Sequence, residues 1–62
     1  MPMIRVEMYE GRTVEQKRAM VKAVSEAFAS TCGGSPEAVQ VVITDVSRED
    51  WATGGVLAVD KT

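Results

Sequence analysis

Between Met3 and Asp45 the residue pattern admits one chain path, a strand, a helix and a second strand laid parallel to the first. Met3 to Tyr9 alternates, with Ile4, Val6 and Met8 on one face and Arg5, Glu7 and Tyr9 on the other. This period of two is that of a strand with one face toward a core. Glu10-Gly11-Arg12 breaks the alternation, and Thr13 followed by Gln16 has the spacing of a helix capping box, so a helix is expected from near Val14. Val14, Val21, Val24, Ala27, Phe28 and Thr31, flanked by Met20, form its apolar side. Glu15, Lys17, Arg18, Lys22 and Glu26 form the other. Gly33-Gly34 ends the helix, and Ser35-Pro36-Glu37 reads as a cap with proline at the first position of one short turn. Val39 to Asp45, almost continuous in Val and Ile, reads as a strand covered on both faces. A helix joining two strands implies a right-handed crossover and a parallel pair.

Two parallel strands and one helix cover only one face of their sheet, so the other face is expected to meet another copy. Length sharpens the point, because a 62-residue chain buries only about 60% of its unfolded surface. Cys32 is the single cysteine; no disulfide closes within the chain, and oligomerisation is the expected source of stability. Residues 1–62 read as one domain. In the tail, Ser47-Arg48-Glu49-Asp50-Trp51 reads as a helical turn, followed by Gly54-Gly55 and a strand-like Val56 to Val59. A terminal ribbon of this kind usually needs a neighbour to pair with.

Composition removes whole classes of chemistry. There is no His, which excludes the usual acid-base switch, Ser-His nucleophiles and most zinc sites. The lone Cys32 supports no metal cluster, fits a reducing cytoplasm, and reads as a residue packed at the helix end rather than a reactive thiol. A net charge of −2 with mixed signs offers no basic face for nucleic acid. No apolar run is long enough for a membrane span or a signal-peptide core. Proton chemistry is left to carboxylates, Tyr9, Cys32 and the terminal amine.

That last group makes Pro2 the candidate of greatest interest. Removal of Met1, usual before a small second residue, turns the Pro2 nitrogen into a free secondary amine. α-Amino groups titrate near ~8 and lower when buried, so such a nitrogen accepts a proton near neutral pH. Retention of Met1 makes it an inert amide. Without further context, a proline on an edge strand is the plainer reading.

Further context is present. Pro2, Glu10-Gly11-Arg12-Thr13 with Glu15-Gln16-Lys17, Val24-Ser25-Glu26-Ala27, Val41-Val42-Ile43-Thr44, and Trp51 before Gly54-Gly55 stand in register over nearly the whole chain. In this set the sequence resembles the 4-oxalocrotonate tautomerase family. The resemblance implies an α+β fold of β-α-β subunits that pair through the sheet and assemble as a trimer of dimers. It also implies a cofactor-free, metal-free isomerase whose terminal proline, Pro2, moves a proton along a 2-hydroxydienoate or enol carboxylate to give the oxo form. Arg12 falls at the position that holds a substrate carboxylate, where a guanidinium fork binds in a bidentate way. Trp51 falls at the aromatic position that walls the pocket, a role that plain packing or a subunit contact would equally fill.

Gln40 departs from the pattern, standing where the better-known members have a second arginine. Gln donates hydrogen bonds without charge, so a dicarboxylate loses an anchor unless Arg48 supplies it from the neighbouring loop. Thr53 stands where dehalogenase relatives carry an acid, and Tyr9 where they carry an extra arginine, which counts against a hydratase or dehalogenase. Two readings follow: a tautomerase acting on a small enol or dienol carboxylate, as a homo-hexamer in the cytoplasm, or a silent subunit of a hetero-hexamer.

Overall fold

The computed structural model describes residues 2–61. Its order is β1 (Met3–Tyr9), α1 (Val14–Cys32), a 3-10 turn (Pro36–Ala38), β2 (Gln40–Val46), a second 3-10 turn (Arg48–Asp50), β3 (Ala52–Thr53), β4 (Val56–Leu57) and a third 3-10 turn (Ala58–Asp60). β1 and β2 are parallel, with Met3 opposite Gln40 and Tyr9 opposite Val46; β3 and β4 form a separate antiparallel hairpin. The strand-helix-strand path and the C-terminal ribbon are as the sequence implied.

Each boundary has a local cause. Thr13 caps α1 reciprocally: its hydroxyl accepts from the Gln16 N–H at 3.1 Å, and the Thr13 N–H donates to Gln16 Oε1 at 2.9 Å. Such a cap satisfies two donors that would otherwise be stranded at the helix start. At the other end the Gly33 N–H donates to the Ala29 carbonyl at 3.0 Å. β2 starts one residue later than the Val39 expected, because the Val39 N–H is taken by the Pro36 carbonyl at 3.2 Å in closing the first 3-10 turn. The tail strand also stops early, at Leu57, where the chain tightens into the last 3-10 turn. Gly54 and Gly55 connect β3 to β4 with φ of 61° and 83°; a two-residue turn with both central φ positive matches the strand twist, and glycine adopts it without strain.

Ile4, Val6, Met8, Val41 and Ile43 are half-buried on the face that α1 covers. Met3, Arg5, Glu7, Gln40, Val42 and Thr44 lie exposed on the other. β2 is therefore covered on one face only within the chain, and Val42 is 44% exposed despite its apolar neighbours. The half-buried stripe of α1 also differs from expectation: it runs through Lys17, Met20, Val21, Val24, Ser25, Phe28 and Ala29. Val14 is 56% exposed, and Ala27 and Thr31 lie off the stripe. Thr31 turns its hydroxyl back onto the Ala27 carbonyl at 2.7 Å. Lys17, expected on the solvent side, is instead half-buried and reaches Asp45 near the end of β2 at 2.5 Å. Cys32, expected to be packed, is exposed.

The one buried hydrophobic residue among those described is Ala58, at 8% exposure. Its N–H donates to the Trp51 carbonyl at 2.7 Å, tying the end of the hairpin to its base. The chain has a Cα radius of gyration of 14.6 Å and exposes 4710 Å², against about 11 Å and about 3,900 Å² for a compact monomer of this size. No helix among the described residues is long and apolar enough to cross a membrane.

Candidate active site

The parallel ladder has two ends, and the candidate residues divide between them. At the N-terminal end the half-buried Pro2 offers its carbonyl to the Gln40 N–H at 3.0 Å. Pro2 and Gln40 are thus neighbours by backbone register. Removal of Met1 concerns a residue outside those described.

At the C-terminal end, the Glu10 N–H donates to the Val46 carbonyl at 3.0 Å, prolonging the pairing by one bond. Gly11 then turns the chain with φ of 119°, a conformation that side chains other than glycine's resist. Arg12 follows, and its Nη1 donates to the Tyr9 carbonyl at 3.3 Å. Ser47 caps the next turn, accepting from the Glu49 N–H at 3.1 Å, and this turn brings residues 48–51 back over the strand end. The Arg48 guanidinium carbon lies 4.4 Å from the centroid of the Tyr9 ring, a cation-π distance. Trp51, half-buried, also meets Tyr9, its ring centroid 4.8 Å from that of Tyr9 at an interplanar angle of 58°. Arg12, Arg48 and Trp51 therefore share one partner, Tyr9. Tyr9, named in the sequence only as a group capable of proton chemistry and as a departure from the dehalogenase pattern, was not placed among the substrate-holding residues; its position as the last residue of β1 on the face away from α1 was the available signal.

From Met3 to Tyr9 the ladder spans about 20 Å at the usual strand rise. Within one chain Pro2 and Gln40 thus sit far from Arg12, Arg48 and Trp51. A cavity of about 370 Å³ lies elsewhere, lined by Val21, Lys22, Ser25, Glu26, Pro36 and Glu37. None of the candidate residues lines it. The Ser35 hydroxyl beside it hydrogen-bonds Glu37 and holds that carboxyl below the usual carboxylate range.

The family model for tautomerase enzymes matches residues 2–61. The chain belongs to the tautomerase family. Among relatives of this family, a probable tautomerase of Streptococcus pneumoniae is 46% identical over 55 residues, covering 89% of this chain and 92% of the relative. A probable tautomerase of Bacillus cereus is 41% identical over 98% of this chain and its own full length. The crystal structure of YwhB, a homologue of 4-oxalocrotonate tautomerase, superposes with a TM-score of 0.92 at 39% identity, covering 98% of this chain and 100% of the other. A chain of the heterohexamer 4-oxalocrotonate tautomerase of Chloroflexus aurantiacus superposes at 0.90 with 32% identity, covering 97% of each. The tautomerase fold of β-α-β subunit and C-terminal hairpin is thus shared in full.

Proposed function

We propose that this member of the tautomerase family is a cofactor-free isomerase of small enol or dienol carboxylates, with Pro2 as the proton carrier. Once Met1 is removed, the Pro2 nitrogen takes the proton of the 2-hydroxyl group. The resulting ammonium returns a proton to carbon at the other end of the conjugated system, leaving the 2-oxo acid. Arg12 holds the carboxylate, Trp51 keeps the amine's surroundings dry, and Gln40 offers a neutral hydrogen bond beside Pro2. A secondary amine in apolar surroundings has its charged form destabilised, which keeps it available as a base.

The observation that supports this arrangement most directly is the division of these residues between opposite ends of the ladder. A working site then takes Pro2 and Gln40 from one copy and Arg12 and Trp51 from another. The half-covered sheet, the excess exposed surface and the single buried hydrophobic residue among those described all favour assembly, and we take it to be dimers grouped as a trimer of dimers in the cytoplasm. Sedimentation at micromolar concentration is expected to show this hexamer; a folded monomer alone would falsify it.

Function is tested with protein whose intact mass lacks Met1, by the ultraviolet signal of phenylenolpyruvate converting to its oxo form. Turnover well above the buffer rate is expected. A second reading is favoured by the uncharged Gln40 and by the heterohexamer of the Chloroflexus relative: a silent subunit awaiting an arginine-bearing partner. Turnover absent from the pure chain and regained on mixing with such a partner would select it.

A further inference from the structure

Arg12 and Arg48 both rest on Tyr9, the first on its carbonyl at 3.3 Å and the second on its ring face at 4.4 Å. The ion pairs among the described residues are Lys17 with Asp45 and Arg18 with Glu15. Neither guanidinium at Tyr9 has a carboxylate partner there, although Glu49 and Asp50 follow Arg48 in the same turn. Both guanidiniums lie exposed beside this one residue, and the ring face answers only part of the Arg48 charge. An arriving anion would offset the rest.

We propose that Arg48 is a second substrate-holding side chain that grips the same carboxylate as Arg12, and that Tyr9 is the positioning residue that aims it. The inference rests on the composite tautomerase site proposed above, and it names the substrate class. The charged end of the substrate meets two guanidiniums, whereas the end at Pro2 meets the amide of Gln40. The matching ligand is a small enol acid with one carboxylate and an uncharged remainder. The ring of Tyr9 is the part that matters, since it is the face beneath Arg48; its hydroxyl is secondary.

The test compares kcat and KM for phenylenolpyruvate at low ionic strength in wild type, Arg48→Ala, Tyr9→Leu and Tyr9→Phe. Trp51, the only tryptophan, reports binding of unreactive trans-cinnamate through its fluorescence. Arg48→Ala and Tyr9→Leu are expected to raise KM and the cinnamate dissociation constant roughly tenfold or more, with kcat changing far less. The dependence of kcat/KM on salt should flatten in both. Tyr9→Phe, which retains the ring, should recover most of what Tyr9→Leu loses. A shift of less than about twofold in Arg48→Ala would overturn the proposal, as would equal damage from Tyr9→Phe and Tyr9→Leu. Should Tyr9→Leu fail to assemble, Arg48→Ala decides alone. Cinnamate binding needs no chemistry at Pro2. Wild type that binds cinnamate through Arg48 yet leaves enols unchanged would remove the catalytic reading and keep the clamp; enol turnover with cinnamate affinity indifferent to Arg48 would do the reverse.

Discussion

Protein made with one residue fused ahead of Pro2 is expected to lose enol turnover almost completely. The fusion converts the secondary amine into an amide, which neither accepts nor returns a proton near neutral pH. A positioned acid-base group contributes about 10²- to 10⁴-fold to rate, so the loss should show mainly in kcat, with KM changed little because Arg12 still holds the carboxylate. Pro2→Ala provides the graded control. It leaves a primary amine at the same place and should weaken turnover without abolishing it. Because the Pro2 carbonyl accepts from the Gln40 N–H, both changes adjoin the ladder, and circular dichroism with sedimentation separates a loosened ladder from lost chemistry. Steady-state kinetics on phenylenolpyruvate, each preparation checked by intact mass, makes the measurement. Full turnover by the fused protein would remove Pro2 from the mechanism.

Gln40→Arg is expected to raise activity on 2-hydroxymuconate, a dicarboxylate, far more than on phenylenolpyruvate. Gln40 follows directly from the register: its N–H binds Pro2, and its residue stands opposite Met3 on the uncovered sheet face. A charged donor placed there meets the end of the substrate remote from Arg12. Such a donor aimed at developing charge or a second carboxylate is worth roughly two orders of magnitude in rate. Only the dicarboxylate offers that second anion, so the ratio of kcat/KM for the two substrates is the reading. Arg12→Ala should lower both alike. An unchanged ratio in Gln40→Arg would mean that position 40 lies outside the pocket.

Much of the fold was readable because its signals are local. β1 alternates cleanly and is stopped by Gly11, and α1 announces its start through Thr13 and Gln16, whose two hydrogen bonds both form. The structure departs from the sequence pattern where longer-range contacts decide. Lys17 counts as polar by type, yet its long side chain delivers its charge to Asp45 of β2. Val42 looks like a core residue between Val41 and Ile43, but alternation sends it to the face away from α1, where it lies exposed. For the site, resemblance pointed to Arg12 and Trp51. Their common contact with Tyr9 was not, because it depends on the Ser47-capped turn folding residues 48–51 over the strand end. The distance between Pro2 and Arg12 was hidden for a similar reason. Ten positions apart in sequence, they are separated by the full length of a strand.

That length bears on how such proteins diversify. On the composite reading, amine and guanidinium of one site never belong to one chain, so a duplicated gene gives two copies free to fail in different ways. A copy that loses its Arg12 still lends Pro2 to a neighbour, and a copy whose Pro2 is blocked still lends Arg12. Each defect alone would be tolerated in mixture, and the two together would make each chain indispensable to the other. Division of labour between two chain types then needs no new chemistry, only complementary loss at opposite ends of a seven-residue strand.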